Sequence, residues 1–523
     1  MLALSAFLLA SCGGSSGYQP GVSTPVGTAS AGGSYSGMSL GGIDLLSFTA
    51  SKADVDLTGV TDGLLIVNST SQVGDDLTIQ MTKGTLSALS IDIEALTVGE
   101  DVDEDLASQF HQYLREMETF MRDSGEFTPT SETGLAALTV DPEVGDTRSF
   151  RVLDSINSIT SYAEVTGELR MATDNLYIYV DQDGSDNISD EDLETLAHNF
   201  EDIAIPLERE IMGRESDINF DGHISIVMTC TVNQMAASGG IVTGFFFPGD
   251  LYQRSSVNLA SNSQEVFYTL LPDPTGECGT PISAQFAVQN ILPGVLAHEY
   301  QHMNSFNQHV FKNAGSTEEP WLNECLSHLS EDLTGFGNEN PSRIKLFLAQ
   351  PSKTPLIPAS SPTLAERGAC LTFLRYLYEQ SPDGDAFLSD LYSSNRTGVS
   401  NLEAAFNGKD SDFNSFPEFV NRWSIALSLS GTGVTSDPRY VFEERSEDPE
   451  TGNKTGICLH CDAQDGRGTV LDGPIMTSVT TFPAISAVKG TATQFYRLKS
   501  PSGSVSVQAS GSADMAGALV RFE

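Results

Sequence analysis

Two histidines four residues apart, in Val295-Leu296-Ala297-His298-Glu299-Tyr300-Gln301-His302-Met303, constrain this chain more than any other feature. The apolar flanks read as a buried helix, and positions i and i+4 of a helix lie one above the other. Both imidazoles can therefore reach one Zn2+ ion. Glu299 is turned about 100° from His298, near enough to take a proton from a water on that ion without displacing either histidine. The bland alternative is a helix with two ordinary histidines. With 8 histidines in 523 residues, this spacing with Glu in second place argues against chance.

A tetrahedral zinc needs a third protein ligand and an open position. His309 lies seven residues past His302, about 10 Å along a continuing helix and too far to share the ion. The longer pattern HExxHxxGxxH is absent, because Ser305 and Gln308 stand where its glycine and third histidine would be. Glu319-Pro320-Trp321-Leu322-Asn323-Glu324-Cys325-Leu326-Ser327-His328 opens a second helix, with Pro in the first turn where it is tolerated. Glu324, 22 residues beyond His302, would complete a His2Glu set from that helix. His328 shares its face and could orient a ligand histidine or compete as a ligand; an outer-shell or surface role is expected.

His-Glu-Tyr-Gln-His followed by Trp-Leu-Asn-Glu-x-Leu-Ser resembles the gluzincin metallopeptidases, and more narrowly the hyicolysin-type family of secreted bacterial neutral metalloproteases. Val144–Phe150, Leu176–Asp181, Gly239–Phe246, Phe247–Leu251 and Phe373–Leu377 carry the same likeness, which spans roughly 106–429. It implies a two-lobed zincin-like α+β catalytic domain, in which a mixed sheet lobe carries the HExxH helix and a helical lobe carries Glu324. It also implies His298, His302 and Glu324 as zinc ligands and Glu299 as catalytic base. Two departures stand out. Cys325 replaces the usual glycine after the ligand glutamate, which suggests a disulfide beside the site. Glu366-Arg367-Gly368 stands where a tyrosine is frequent, leaving the oxyanion stabiliser unassigned.

Charge narrows the partners. With 27 basic and 70 acidic residues the net charge is −43, which excludes a phosphate-neutralising nucleic-acid binder. Acidity itself reads as solubility or a salty habitat. The apolar fraction of 39% is enough for a large core and about two to four domains.

Met1–Ala10 is almost wholly apolar and ends Leu9-Ala10-Ser11-Cys12-Gly13-Gly14, resembling a bacterial lipobox, although no Lys or Arg precedes Lys52. Cleavage before Cys12 and lipidation of its thiol are expected. The Gly/Ser/Pro/Thr-rich tract that follows has the composition of a flexible tether. The protein is thus expected to be extracytoplasmic, held to the outer membrane or cell surface by its lipid alone. Of seven cysteines, six remain after Cys12, and an even number outside the cytoplasm favours disulfides. Cys458 and Cys461 are close enough for a local bridge; no second CxxC completes a zinc site.

Expected boundaries are 1–12 signal and lipobox, 13–38 tether, 39–100 β module, 101–170 helix-plus-strand connecting region, 171–435 catalytic domain and 436–523 β module. Leu106, Phe110, Leu114, Met117 and Met121 recur at helical spacing over Glu104 to Arg122. Ser189 should cap a helix opening with acids. Gly239–Phe247 reads as an edge strand able to accept an extended peptide, or equally as a buried strand. Asp217, Asn219 and Asp221 match the front of a calcium loop, making Ca2+ a second candidate ion. Position 12 is Met228, so an EF-hand is excluded and an Asx-rich turn is preferred. Tyr376 is a core residue or a substrate-site tyrosine. The function expected is zinc-dependent hydrolysis of extracellular proteins or peptides. A surface adhesin or binding lipoprotein that keeps zinc without catalysis is the alternative.

Overall fold

In a computed structural model the residues described are 29–30, 38–71, 76–84, 106–129, 141–235, 240–406, 413–443, 445–449, 451–501, 503–510 and 514–523. The expected signal, Cys12 and most of the 13–38 tether lie outside the described residues. Strands β1 (Ala29–Ser30), β2 (Leu40–Leu46), β3 (Lys52–Asp56), β4 (Asp62–Ser69) and β5 (Leu77–Lys83) precede helix α1 (Leu106–Asp123). Next come β6 (Thr147–Leu153), β7 (Tyr162–Ala172), β8 (Leu176–Asp181), α2 (Asp190–His198), α3 (Ile205–Met212), β9 (Ile224–Met228) and α4 (Cys230–Gln234). They lead to β10 (Gly244–Phe246), β11 (Val266–Thr269), α5 (Ala284–Phe286), α6 (Leu292–Phe306) and α7 (Pro320–Leu333). Helices α8 (Asn340–Ala349), α9 (Leu364–Gln380), α10 (Gly384–Ser393), α11 (Gly398–Phe406) and α12 (Phe416–Leu429) follow. The chain closes with β12 (Ser446–Glu447), β13 (Lys454–Thr455), β14 (Met476–Val479), β15 (Ala484–Val488), β16 (Thr493–Lys499), β17 (Ser504–Ala509) and β18 (Met515–Phe522). The class is mixed α+β.

Local chemistry sets several of these elements. Ser189 caps α2 reciprocally: its Oγ accepts from the Asp192 N–H, and its own N–H donates to Asp192 Oδ2, both at 3.2 Å. Phe110, Leu114 and Met121 of α1 are buried at the expected helical spacing. Strand β8 is buried along its whole length, as its unbroken apolar run requires of a strand covered on both faces.

The central sheet has the order β10-β11-β9-β8-β7-β6, with β9 parallel to both neighbours and the outer pairs antiparallel. The stretch read as either an edge or a buried strand is both. Among the described residues β10 pairs with β11 alone, at the rim of the sheet, while Gly244, Phe245 and Phe246 are buried.

The two terminal stretches, expected as separate β modules, form one sandwich. One sheet runs β1-β14-β16-β4-β18-β2 and the other β15-β5-β17-β3, so strands from both ends of the chain are interleaved in each. β4 shows the period of two that makes this work. Leu65 and Val67 enter the sandwich core with Val55, Ile79, Tyr496 and Leu519. Leu64 and Ile66 face the other way and join Phe495, Val520 and the helices α7 to α12. Burying each such side chain stabilises by about 1.5–3 kcal/mol.

Two further apolar clusters flank the site. Leu296, Ala297, Tyr300 and Met303 of α6 pack with the central sheet and α1. Trp321, Leu322, Cys325, Leu326 and Leu329 of α7 pack with α8 to α12. The faces of α6 and α7 not used by those clusters carry His298, His302 and Glu324, and they meet. Among the described residues no helix is long and apolar enough to cross a membrane.

Candidate metal centre

Three walls enclose the polar seam: α6, α7 and α1, with β10 closing the fourth side. Pro293 occupies the first turn of α6, and Gly294 lets it approach the next loop, since a Cβ there would sit 2.8 Å from the Phe336 carbonyl. Gly244 does the same for β10, where a Cβ would meet Val295 Cγ1 at 2.5 Å.

Nε2 of His298 lies 3.7 Å from Glu324 Oε2, and Nε2 of His302 lies 3.5 Å from Glu324 Oε1. Two donors on one tetrahedral zinc, each about 2.0–2.1 Å away, stand about 3.4 Å apart. The spacing therefore leaves room for one ion between them. All four atoms are buried without a hydrogen-bond partner, a costly state unless something else binds them. These three residues form one of the groups that could hold a metal ion.

Protonation favours the same use. Burial, then the nearby Arg115 charge, holds His302 well below the usual imidazole range, so its ring is neutral. Burial alone would raise Glu324, but the Arg367 guanidinium 3.1 Å from Oε2 and the two histidines outweigh it and keep the carboxylate ionised. Glu299 is pushed up to about 7 by burial, against the opposing pull of His298, Arg115 and the Phe246 N–H. That N–H, on β10, donates to Glu299 Oε2 at 2.9 Å.

Around the candidate ligands stands a shell of which the sequence reading named His328 alone. His298 Nδ1 bonds Glu331 Oε1 at 2.7 Å, and His302 Nδ1 bonds Asn323 Oδ1 at 3.1 Å. Both acceptors demand a proton on Nδ1, which frees Nε2 as the lone-pair donor. Glu331 is itself held by His328 Nδ1 at 2.8 Å and Arg343 Nη1 at 3.0 Å. His328 thus reaches His298 through Glu331 and is buried rather than on the surface; His298, His328 and Glu331 form another of the groups that could hold a metal ion. Asn323 Nδ2 donates to Glu118 Oε2 at 3.3 Å, and Glu118 pairs with Arg115 at 3.1 Å. Glu324 and Glu331, both held well below the usual carboxylate range, meet the guanidiniums of Arg367 and Arg343, while burial raises Glu118 and Glu299 to about 7.

Some of this shell had a sequence signal. Glu331 lies on the face of α7 shared by Glu324 and His328. His111 and Arg115 are four apart on α1, beside its apolar stripe, but that helix was read for its stripe alone. Arg367 sits in the stretch noted as departing from the family pattern. The disulfide expected beside the site is Cys325–Cys370, which ties α7 to α9, the helix that carries Arg367. Cys230–Cys278 and Cys458–Cys461 are the other bridges.

Other candidates resolve differently. His309 is buried outside the metal group. Tyr376 is a core residue whose hydroxyl donates to the Arg439 carbonyl. In the calcium-like loop, Asp217 Oδ1 accepts from the Gly222 N–H, Asn219 Oδ1 from the Asp221 N–H and Asp221 Oδ1 from the His223 N–H. Asn219 Nδ2 bonds Asp221 Oδ2. These are the bonds of an Asx-rich turn, and the loop is not among the metal-capable groups of the described residues.

Two imidazoles and a carboxylate around one ion-sized gap, with a second carboxylate beside it, define a metal-centre geometry suited to activating water. No family model matches the chain. It is similar to the neutral metalloprotease ShpI of Staphylococcus hyicus, with 26% identity over 295 residues. The match covers 54% of this chain and 63% of that protein.

Proposed function

We propose that this chain is a zinc-dependent endopeptidase of gluzincin type, with His298, His302 and Glu324 as metal ligands and Glu299 as general base. The observation that carries the reading is the convergence of two bare Nε2 atoms and the Glu324 carboxylate, whose Oε2 is ion-paired with Arg367, in a buried gap of ion size. Likeness to a protein named as a metalloprotease supports it.

Zinc held there supplies Lewis acidity toward the scissile carbonyl and brings the pKa of water to about 7. The protein's own groups do the rest. Phe246 N–H fixes Glu299 Oε2, leaving Oε1 to accept the proton of the attacking water. Glu299 would then pass that proton on to the leaving amine. Glu331 and Asn323 hold the ligand imidazoles in one tautomer, and Arg367 keeps Glu324 ionised. An extended peptide adding to the rim strand β10 would run past Glu299. Endopeptidase rather than exopeptidase action rests on the family likeness.

In this reading the catalytic unit spans 171–435 as two zincin-like lobes, with α1 as an added wall. Lipidation at Cys12 places it outside the cytoplasm, where the three disulfides persist, and its substrates are extracellular proteins or peptides. The test is casein hydrolysis by the zinc-loaded protein and its Glu299→Gln variant. Hydrolysis lost with Glu299→Gln while zinc is retained is expected; hydrolysis unchanged by that substitution overturns the mechanism. Zinc binding without any hydrolysis identifies a binding lipoprotein instead.

A further inference from the structure

His111 comes from α1, upstream of the two helices that carry the ligand set. Its Nδ1 lies 3.8 Å from Glu299 Oε1, and its ring centre is 6.0 Å from that of His298. Donor atoms of His111, His298 and Glu299 all lie within 4.8 Å of one another. The residue is only 9% exposed, and Nδ1 is buried with no hydrogen-bond partner. Packing sets this position. Phe110, fully buried, meets Phe245 of β10 edge to face at 5.1 Å, and the next residue on that strand is the Phe246 that holds Glu299.

Adding water to a peptide carbonyl builds negative charge on its oxygen, and a preorganised donor aimed there is commonly the largest single catalytic contribution. The other cationic groups near the seam are ion-paired with carboxylates, although Arg115 and Arg367 keep further N–H groups without a hydrogen-bond partner. Arg115 pairs with Glu118, Arg367 with Glu324 and Arg343 with Glu331. Tyr300 donates to Glu215, and Tyr392 accepts from Gln301. His298, His302 and His328 have Nδ1 committed to Glu331 or Asn323. His111 has no such commitment and faces the base. We propose that His111 is a catalytic residue that donates a ring N–H to the scissile carbonyl oxygen as it gains charge, an inference that rests on the peptidase reading.

The test uses the full zinc-loaded chain as wild type, His111→Ala and His111→Gln. Three quantities are measured: kcat and KM on a quenched fluorescent peptide containing a casein cleavage site, bound zinc, and affinity for a phosphinic peptide that copies the tetrahedral oxygen. Expected for His111→Ala is a fall in kcat of about 100-fold with KM nearly unchanged, an equal loss of phosphinic affinity and full zinc occupancy. His111→Gln, which keeps an N–H donor, should recover part of both losses. Unchanged kcat and phosphinic affinity in His111→Ala overturn the proposal, as does loss of zinc, which would make His111 a support for the ligands. A rise in activity would also overturn it, identifying α1 as a latch over the site. A wild type that holds zinc but cuts no peptide removes the peptidase reading, and this role falls with it.

Discussion

Glu331 Oε1 accepts from His298 Nδ1 at 2.7 Å, and this single bond turns the other ring nitrogen toward Glu324. The same oxygen is shared with His328, and Arg343 neutralises the other. Burial opposes the Glu331 charge, but His328 and Arg343 hold its carboxyl well below the usual range. The acceptor that fixes the tautomer is therefore always an anion.

Glu331→Gln should lower zinc affinity by about 10–100-fold, the usual effect of losing a carboxylate behind a ligand histidine. Competition with a chromophoric chelator measures it. Affinity equal to wild type would mean that Glu331 does not orient the ring. Asn323→Ala should act in the same direction through His302.

The Cys325–Cys370 bridge closes a segment with a sequence separation of 45, for which chain entropy gives about 4 kcal/mol of stabilisation. The double variant Cys325→Ala, Cys370→Ala should unfold at lower denaturant by an amount in the range of about 2–5 kcal/mol. Because α9 also carries Arg367, zinc affinity should fall with it. A variant as stable as the parent would show that the α7–α9 contact stands on packing alone.

Asp250 gives a pH-dependent stability away from the candidate metal site. It is buried, accepts from Tyr268 Oη at 2.7 Å and from the Asn262 N–H, and burial pushes its carboxyl up to about 8. Unfolded, it titrates near about 3.9. Between those values the native state holds a proton that the unfolded chain has lost. Its contribution is therefore complete below about pH 4 and is lost as pH rises toward about 8. Urea unfolding in EDTA from pH 5 to 8 should show a shallower loss of stability in Asp250→Asn than in wild type, by up to about 1.4 kcal/mol per pH unit. Parallel curves would contradict the assignment.

How much of this was legible depends on distance along the chain. His298, Glu299 and His302 lie within two turns of one helix, so spacing alone puts them together, while Glu324 on the next helix was reached through the short connection and the family resemblance. Cys458 and Cys461 are legible from spacing too. His111, Arg115 and Glu118 reach the site from nearly two hundred residues upstream, and only the packing of Phe110 and Leu114 delivers them. The sandwich was hidden likewise. Alternation marks Leu77–Met81 and Ser504–Val507 as strands, but nothing local states that β17 lies between β3 and β5. Side-chain period is local, while strand partnership is settled by which faces must be covered. Leu64 and Ile66 face helices α7 to α12 rather than the sandwich core, and this is what joins the terminal strands to those helices.

The most direct measurement is anomalous diffraction at the zinc absorption edge on crystals of the zinc-loaded chain. The account requires one strong peak about 2.0–2.1 Å from Nε2 of His298, Nε2 of His302 and a carboxylate oxygen of Glu324. A peak elsewhere, or Glu324 turned away with no other donor in its place, would contradict it.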